Sequence, residues 1–173
     1  MRYAILCLLP VLTGEQILAA TPVPTPTEQE ATIPHRRVMI VDDDESMCTL
    51  LVDGLAPRGI QCAYRTSPIA ALALLDAEDF DVVVTDLSMR GMTGIEISRR
   101  IGERRPDVPV LVLTGFGSME SAVEAIRAGA HDFITKPVEL EALCHSVERA
   151  LQHRAMREEV KRLRREIDVS HGF

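Results

Sequence analysis

The chain has 173 residues, 46% of them hydrophobic and 3% aromatic, with no Trp and a net charge of -7 at pH 7. That length suits one compact domain with its own core, here an aliphatic one built from Val, Ile, Leu and Ala. The charge argues against nucleic-acid binding by bulk electrostatics, which needs a basic surface, so no direct nucleic-acid contact is expected.

Cys7, Cys48, Cys62 and Cys144 are far apart and match no CxxC or Cys/His ligand spacing, so they are expected to be free thiols in a reducing compartment. Arg2 precedes an apolar run over residues 3–12, and Leu18-Ala19-Ala20 resembles a small-residue cleavage site. This is signal-peptide grammar, and the run is too short to span a bilayer as a helix. A start placed too far upstream and a genuine targeting segment both explain it. Residues 21–34 are rich in Pro and Thr without hydrophobic period, which reads as an extended, solvated linker. Residues 1–35 as a whole are expected to be disordered.

Structure begins at Val38-Met39-Ile40-Val41, a short apolar run suited to a strand buried on both faces. Met47, Leu50, Leu51 and Leu55 then recur at helical spacing over 46–55, closing near Pro57 and Gly59. Residues 60–64 form a second strand. Ser67-Pro68 supplies an N-cap with Pro at the first helical position, and the helix continues over 69–75. Residues 81–85 are a strongly β-branched third strand. Thr93 and Glu96 have capping-box spacing and open a helix to about Glu103. A fourth strand spans 109–113, a helix over 118–128 stops at Gly129, and a fifth strand over 132–135 precedes a long helix from Val138. Five such β/α units predict an α/β fold: a five-stranded parallel sheet doubly wound by helices.

In such sheets the site lies beyond the carboxyl ends of the strands. Those ends carry Asp42 and Asp43, Asp86, Thr114 and Lys136. Singly each is weak, since an Asp at a strand end is more often a helix cap or a solvated turn. The run Asp42-Asp43-Asp44-Glu45 also reads as a favourable charge set at a helix N-terminus. Together they are harder to dismiss. Two carboxylates about 4–5 Å apart repel by roughly 3–4 kcal/mol at an effective dielectric near 20. A hard divalent cation bound through oxygens is the usual offset, and Mg²⁺ needs only one or two direct carboxylates. No EF-hand calcium loop is present. A cation there makes the approach of a phosphoryl donor tolerable, and Asp86 can then attack phosphorus to form an acyl phosphate. Lys136 and the Thr114 hydroxyl can meet equatorial oxygens.

The segments Val-Asp-Asp-Asp-Glu (41–45), Val-Thr-Asp-Leu-Ser-Met (84–89), Gly-Met-Thr-Gly (91–94), Val-Leu-Thr-Gly (112–115) and Phe-Ile-Thr-Lys-Pro (133–137) resemble the response-regulator receiver family of two-component signalling. The resemblance covers 36–151 and is closest to receivers of nitrogen-regulation-type transcription activators. It implies a flavodoxin-like fold and a phosphorelay function. Asp86 would accept a phosphoryl group from a sensor histidine kinase or phosphotransfer protein, with Mg²⁺ as cofactor. Such a chain is not a turnover enzyme but a phosphoacceptor that takes part in its own phosphotransfer and dephosphorylation.

The resemblance further implies that Asp43 binds Mg²⁺ directly, with Asp42 assisting directly or through water. Asp86 and the Ser88 backbone carbonyl would complete the ligand set. Thr114 and Lys136 would contact the phosphoryl group, a cis Lys136-Pro137 peptide would aim the lysine, and Phe133 would be the aromatic switch that turns inward with Thr114. On residue type alone Phe133 also reads as a plain core aromatic. The family usually has Pro at the position of Arg90, so the loop after Asp86 is expected to be looser. Ser88 and Phe116 stand where the family tunes phosphoryl lifetime, and neither suits positioning a water. A slowly hydrolysing phospho-form is therefore expected. Since export would separate a receiver from its kinase, a misplaced start is preferred for residues 1–35 and a cytoplasmic location is expected, with no membrane span.

Leu140, Leu143, Val147 and Leu151 form an apolar stripe expected to pack on the sheet. Met156, Val160, Leu163 and Ile167 then step by four, three and four residues, a coiled-coil seam out of register with that stripe. Residues 152–173 read either as a solvated charged tail or as a helical extension through which a homodimer forms. The extension resembles the linker that precedes the ATPase domain in the same activators. Either a single-domain regulator or a piece of a longer one fits.

Rival readings fare worse. An aspartate-nucleophile phosphatase wants a second Asp two residues beyond the nucleophile, where Ser88 stands. A nucleotide-binding module wants a G-x-G-x-x-G or Walker loop, and neither follows any strand. A purely structural module has no use for the five intact polar residues.

Overall fold

The computed structural model describes residues 36–115 and 119–170. The expectations for residues 1–35, including Cys7, and for Phe116 fall outside them.

Among the described residues, five strands alternate with five helices: β1 (Arg37–Val41), α1 (Glu45–Leu55), β2 (Gln61–Arg65), α2 (Pro68–Ala77), β3 (Val82–Asp86), α3 (Gly94–Arg104), β4 (Val110–Thr114), α4 (Met119–Arg127), β5 (Asp132–Thr135) and α5 (Leu140–Ser170). All neighbouring strands pair in parallel, in the order β2-β1-β3-β4-β5. The order reverses between β1 and β3, which opens a crevice beyond their carboxyl ends.

Both faces of the sheet are covered, which is why its central strands read as unbroken apolar runs. Met39, Val41, Val83, Val110 and Val112 pack under α2, α3 and α4. Val38, Ile40, Val82, Val84, Leu111, Leu113 and Ile134 pack under α1 and α5, against Leu51, Leu55, Leu143 and Val147. Each fully buried Leu or Ile contributes about 1.5–3 kcal/mol. Cys48 and Cys144 are buried, Cys62 is half-buried, and all three are free. Burial first, and for Cys48 the nearby Asp42, push the Cys48 and Cys62 thiols up to about 11, where they stay protonated.

Local chemistry sets the boundaries. Asp44 caps α1, its side chain accepting from the Ser46 and Met47 amides. A single 3₁₀ turn over Ala56–Arg58 then ends at Gly59, whose φ of 69° is the left-handed stop. Ser67 caps α2 with Pro68 behind it, and Thr93 and Glu96 close a reciprocal capping box on α3. The third and fourth strands each run one residue further than the apolar pattern suggested. Asp86 and Thr114 are themselves the last strand residues, because the ladder continues through the Leu87 amide to the Leu113 carbonyl at 2.8 Å.

The long helix holds one feature that a run of charges conceals. Arg154 stands at the break between the two apolar stripes, only 7% exposed. Its guanidinium donates to the Phe80 carbonyl and pairs with Asp81 (3.3 Å), Asp107 (3.5 Å) and Glu158 (3.1 Å). It thereby joins α5 to the entrances of β3 and β4. Past this clamp Met156, Val160, Leu163 and Ile167 are all exposed. Arg154→Ala would leave a buried carbonyl and two partly buried carboxylates without their cation, an expected loss of about 2–3 kcal/mol. Urea denaturation followed by circular dichroism should show a lower midpoint at unchanged slope.

Candidate functional site

At the crevice between β1 and β3, three carboxylates meet. Asp42, Asp43 and Asp86 each bring an oxygen within 4.8 Å of the other two. Asp42 and Asp86 are 1% and 6% exposed, so their charges are largely withdrawn from water. Lys136 comes from the end of β5 and inserts its ammonium between them, 2.7 Å from Asp86 Oδ1 and 3.0 Å from Asp42 Oδ2. Burial alone would push the Lys136 ammonium down, but its hydrogen bonds to Asp86 and Asp42 outweigh that and raise its pKa above the ordinary lysine value. Lysine therefore stays charged here across the physiological range.

The remaining oxygens are also held. Asp42 Oδ1 accepts from the Asp44 amide at 2.9 Å, and Asp86 Oδ2 from the Ser88 amide at 2.8 Å. Asp43 is more open, with 31% of its side chain exposed. The acidic run at 42–45 thus divides its labour. Asp44 serves the helix, Glu45 accepts from the Tyr64 hydroxyl at 3.0 Å, and Asp42 and Asp43 serve the site.

Thr114 ends β4, is buried, and donates its hydroxyl to the Gly115 carbonyl at 3.0 Å. Its own carbonyl accepts from the Lys136 amide at 2.6 Å, which ties the threonine and lysine strands at the site. The expected cis peptide between Lys136 and Pro137 is present. Phe133 pairs in register with Val112, two residues before Thr114 and on the same sheet face, yet its side chain lies outward, 38% exposed. The alternative of a plain core aromatic is thereby ruled out.

Two features escaped the sequence pattern. Arg90, where the family usually has Pro, stands beside the cluster. Its amide lies 3.4 Å and its Nε 3.6 Å from Asp43 Oδ2. Gly94 starts α3 against the backbone of the Asp86 loop, its amide donating to the Leu87 carbonyl at 2.9 Å. A Cβ there would overlap the Asp86 carbonyl and sit 3.1 Å from Leu87 Cα. Its motif Gly-Met-Thr-Gly was visible, but a close approach of two backbones leaves no periodic trace.

An all-oxygen set of three carboxylates at such short range fits a hard divalent cation of the Mg²⁺ kind. Over residues 38–148 the chain matches the family described as response regulator receiver domain. It belongs to that family. The receiver is 40% identical over 116 residues to the transcriptional regulatory protein ZraR of Salmonella typhimurium, covering 67% of this chain and 26% of ZraR. It is 34% identical over 116 residues to the DNA-binding transcriptional regulator NtrC of the same organism, covering 67% and 25%. Among solved structures, NtrX from Brucella abortus in complex with ATP superimposes with a TM-score of 0.70 at 30% identity, covering 75% of this chain and 30% of NtrX. The relatives are thus nitrogen-regulation-type activators, and the chain spans about a quarter of the length of the curated ones it matches. NtrC is by name DNA-binding, which stands against the expectation of no nucleic-acid contact drawn from net charge. Among the described residues, no helix is long and apolar enough to cross a membrane.

Gly94→Ala tests the packing of the receiver's acceptor loop. Ala is the better helix former, so helix propensity alone predicts a gain. Overlap with the Asp86 carbonyl instead predicts a loss of about 1–3 kcal/mol in urea denaturation, with weaker Mg²⁺ binding by calorimetry.

Proposed function

We propose that Asp86 is the phosphoacceptor of a Mg²⁺-dependent switch, fed by a sensor histidine kinase or a phosphotransfer protein. The observation that carries this reading is Lys136 Nζ, held 2.7 Å from Asp86 and 3.0 Å from Asp42 beside a third carboxylate. Residues 36–151 form the receiver in this reading, 152–173 a helical extension, and 1–35 a leading segment outside the switch. A cytoplasmic location goes with a kinase as donor.

Each residue has a task set by its surroundings. A carboxylate oxygen of Asp86 attacks the phosphorus of a phosphoimidazole. The P–N bond breaks, an acyl phosphate forms, and the donor imidazole takes a proton from water. Lys136 already touches the nucleophile, so as charge builds on the phosphoryl oxygens its ammonium needs only a short move to meet one of them. Thr114 exchanges its hydroxyl hydrogen bond from the Gly115 carbonyl to another phosphoryl oxygen. That motion vacates space behind β4 and draws in Phe133 from its outward position. Asp43, the most open of the three carboxylates, Asp86 and the Ser88 carbonyl would be the direct metal ligands, with Asp42 assisting directly or through water. Mg²⁺ held by these residues would supply the positive charge that makes the approach of an anionic phosphoryl donor tolerable. The chain takes part in its own phosphotransfer and hydrolysis without acting as a turnover enzyme.

The extension is the second part of the proposal. Met156 and Leu163 take d positions of a heptad and Val160 and Ile167 take a positions, a pattern that favours two strands. Glu159 and Glu166 then fall at g, and Arg157 and Arg164 at e. In a parallel pair Glu159 meets Arg164 of a second copy, whereas an antiparallel pair sets Glu against Glu and Arg against Arg. The charges therefore favour a parallel homodimer; Met156 and Val160 also line a cleft of about 600 Å³ between α5 and Pro106.

Two measurements check these readings. After incubation with acetyl phosphate and Mg²⁺, intact mass spectrometry should show one added phosphoryl group on the native chain, slow to leave, and none on Asp86→Ala; equal uptake by both would exclude Asp86. In sedimentation equilibrium, Leu163→Asp should shift the native monomer–dimer balance to monomer, and an unchanged mass distribution would remove the seam from the account.

A further inference from the structure

At the opposite end of the sheet from the carboxylates, α3, the entrance of β4, the α4–β5 turn and α5 enclose a pit of about 280 Å³. That is near the lower bound of small-molecule sites, which begin at roughly 300 Å³. Three independent features mark it. Ser98 lines the pit from α3 and is 1% exposed, yet its hydroxyl has no hydrogen-bond partner among the described residues. Buried hydroxyls are almost always paired, so an orphan beside a cavity points to an absent partner. The imidazoles of His131 and His153 line the same pit with ring centroids 4.8 Å apart. Arg157 donates one guanidinium nitrogen to the Pro106 carbonyl at 3.2 Å, which fixes the group at the rim with further donors available.

The charge balance selects the ligand. Asp107 on the rim is engaged by Arg154 at 3.5 Å, and Asp132 beside His131 is engaged by Arg149 at 2.6 Å. What remains to face the cavity is two imidazoles and a guanidinium, a set rich in donors, with the unpaired Ser98 hydroxyl buried in the wall behind them. A cation would meet Arg157. An anion with several acceptor oxygens would pair with Arg157, accept from one or both imidazoles and, once the Ser98 side chain rotates toward the cavity, accept from its hydroxyl as well.

We propose that this pit binds a small oxyanion, a phosphate or a carboxylate, at a site separate from the phosphoacceptor centre. Binding takes up a proton, because the anion favours the charged imidazole. His131 faces His153, Arg149 and Arg157 from α5 and Asp132 from its own strand. Partial burial, followed by the neighbouring His153, holds its pKa below the ordinary imidazole value. His131 is therefore neutral at physiological pH while the pit is empty, and occupancy raises its proton affinity.

The test uses the full chain, labelled with ¹⁵N in a Mg²⁺-free and phosphate-free buffer, at constant ionic strength. Sodium phosphate and sodium succinate are titrated separately. Saturable amide shifts are expected at Ser98, Gly129, Ala130 and His131 with at least one of the two, and whichever anion saturates identifies the oxyanion class. Affinity should rise as pH falls from about 7.5 to about 6. Arg157→Gln should weaken binding about tenfold or more, since it removes a charge-assisted hydrogen bond. Ser98→Ala should weaken binding severalfold while leaving the melting temperature equal or higher, because it deletes an unpaired buried hydroxyl in a good helix position. Shifts that never saturate with either anion would overturn the proposal, as would affinities unaltered in both variants.

Discussion

The ammonium of Lys136 is the contact on which the carboxylate cluster depends. Asp42 and Asp86 are withdrawn from water and lie with Asp43 inside a 4.8 Å circle, so each pair repels by roughly 3–4 kcal/mol at an effective dielectric near 20. One cation placed between the two buried members removes the larger part of this cost. It leaves a residual negative charge, which attracts a second cation to the open side, where Asp43 and Arg90 stand. The same arrangement serves rest and reaction. In the resting chain the lysine neutralises Asp86, and in the proposed reaction it would exchange one anionic partner for another without leaving its place just after β5. A site so balanced stores little strain and reorganises little, which is where electrostatic catalysis gains most.

That balance relies on backbone tethers rather than on side-chain packing. The acceptor strand is continued by the Leu87 amide to Leu113, the loop is pinned by the Gly94 amide to the Leu87 carbonyl, and the lysine strand is pinned by its amide to the Thr114 carbonyl. Each tether joins two strand ends or a strand end to a helix start. Positions of the charged atoms follow from the register of the sheet, and the side chains need few further contacts to be aimed. Gly94 is where this tolerance ends, because two backbones approach too closely there for any side chain.

Much of this was legible in the residues. Strands buried on both faces must be apolar throughout, so β1, β3 and β4 stood out as runs. The caps at Ser67 and Thr93 are side-chain chemistry and could be read as such. Strand ends were legible to one residue only, since the last ladder bond depends on a neighbour that the local pattern does not contain. Arg154 was missed because a lone buried arginine inside a charged helix has the same sequence signature as a solvated one; only the Asp81 and Asp107 it meets, from distant loops, distinguish it. Arg90 was read only for the proline it replaces, and the two donors it brings toward Asp43, one of them an amide that a proline would lack, went unread. The pit around Ser98 had no signal at all, because a serine on a helix facing inward becomes an orphan only through the shape of its surroundings.

Helix α3 connects the two ends of the molecule. Its first residue, Gly94, is hydrogen-bonded to the Leu87 carbonyl of the Asp86 loop, and Ser98 and Gly102 further along it line the pit. The eight residue steps from Gly94 to Gly102 span about 12 Å of α-helix and move as a unit, since bending costs several hydrogen bonds at once. A displacement of α3 that suits one end is therefore felt at the other. Linkage makes any such coupling reciprocal: whatever phosphorylation does to the affinity of the pit, occupancy of the pit must do to the free energy of phosphorylation. The magnitude is bounded by how far the Gly94 contact and the lining of the pit allow α3 to shift, and the close packing at both ends keeps that range small. Coupling of this kind needs no chain of switching residues between the sites, only one rigid element packed against both.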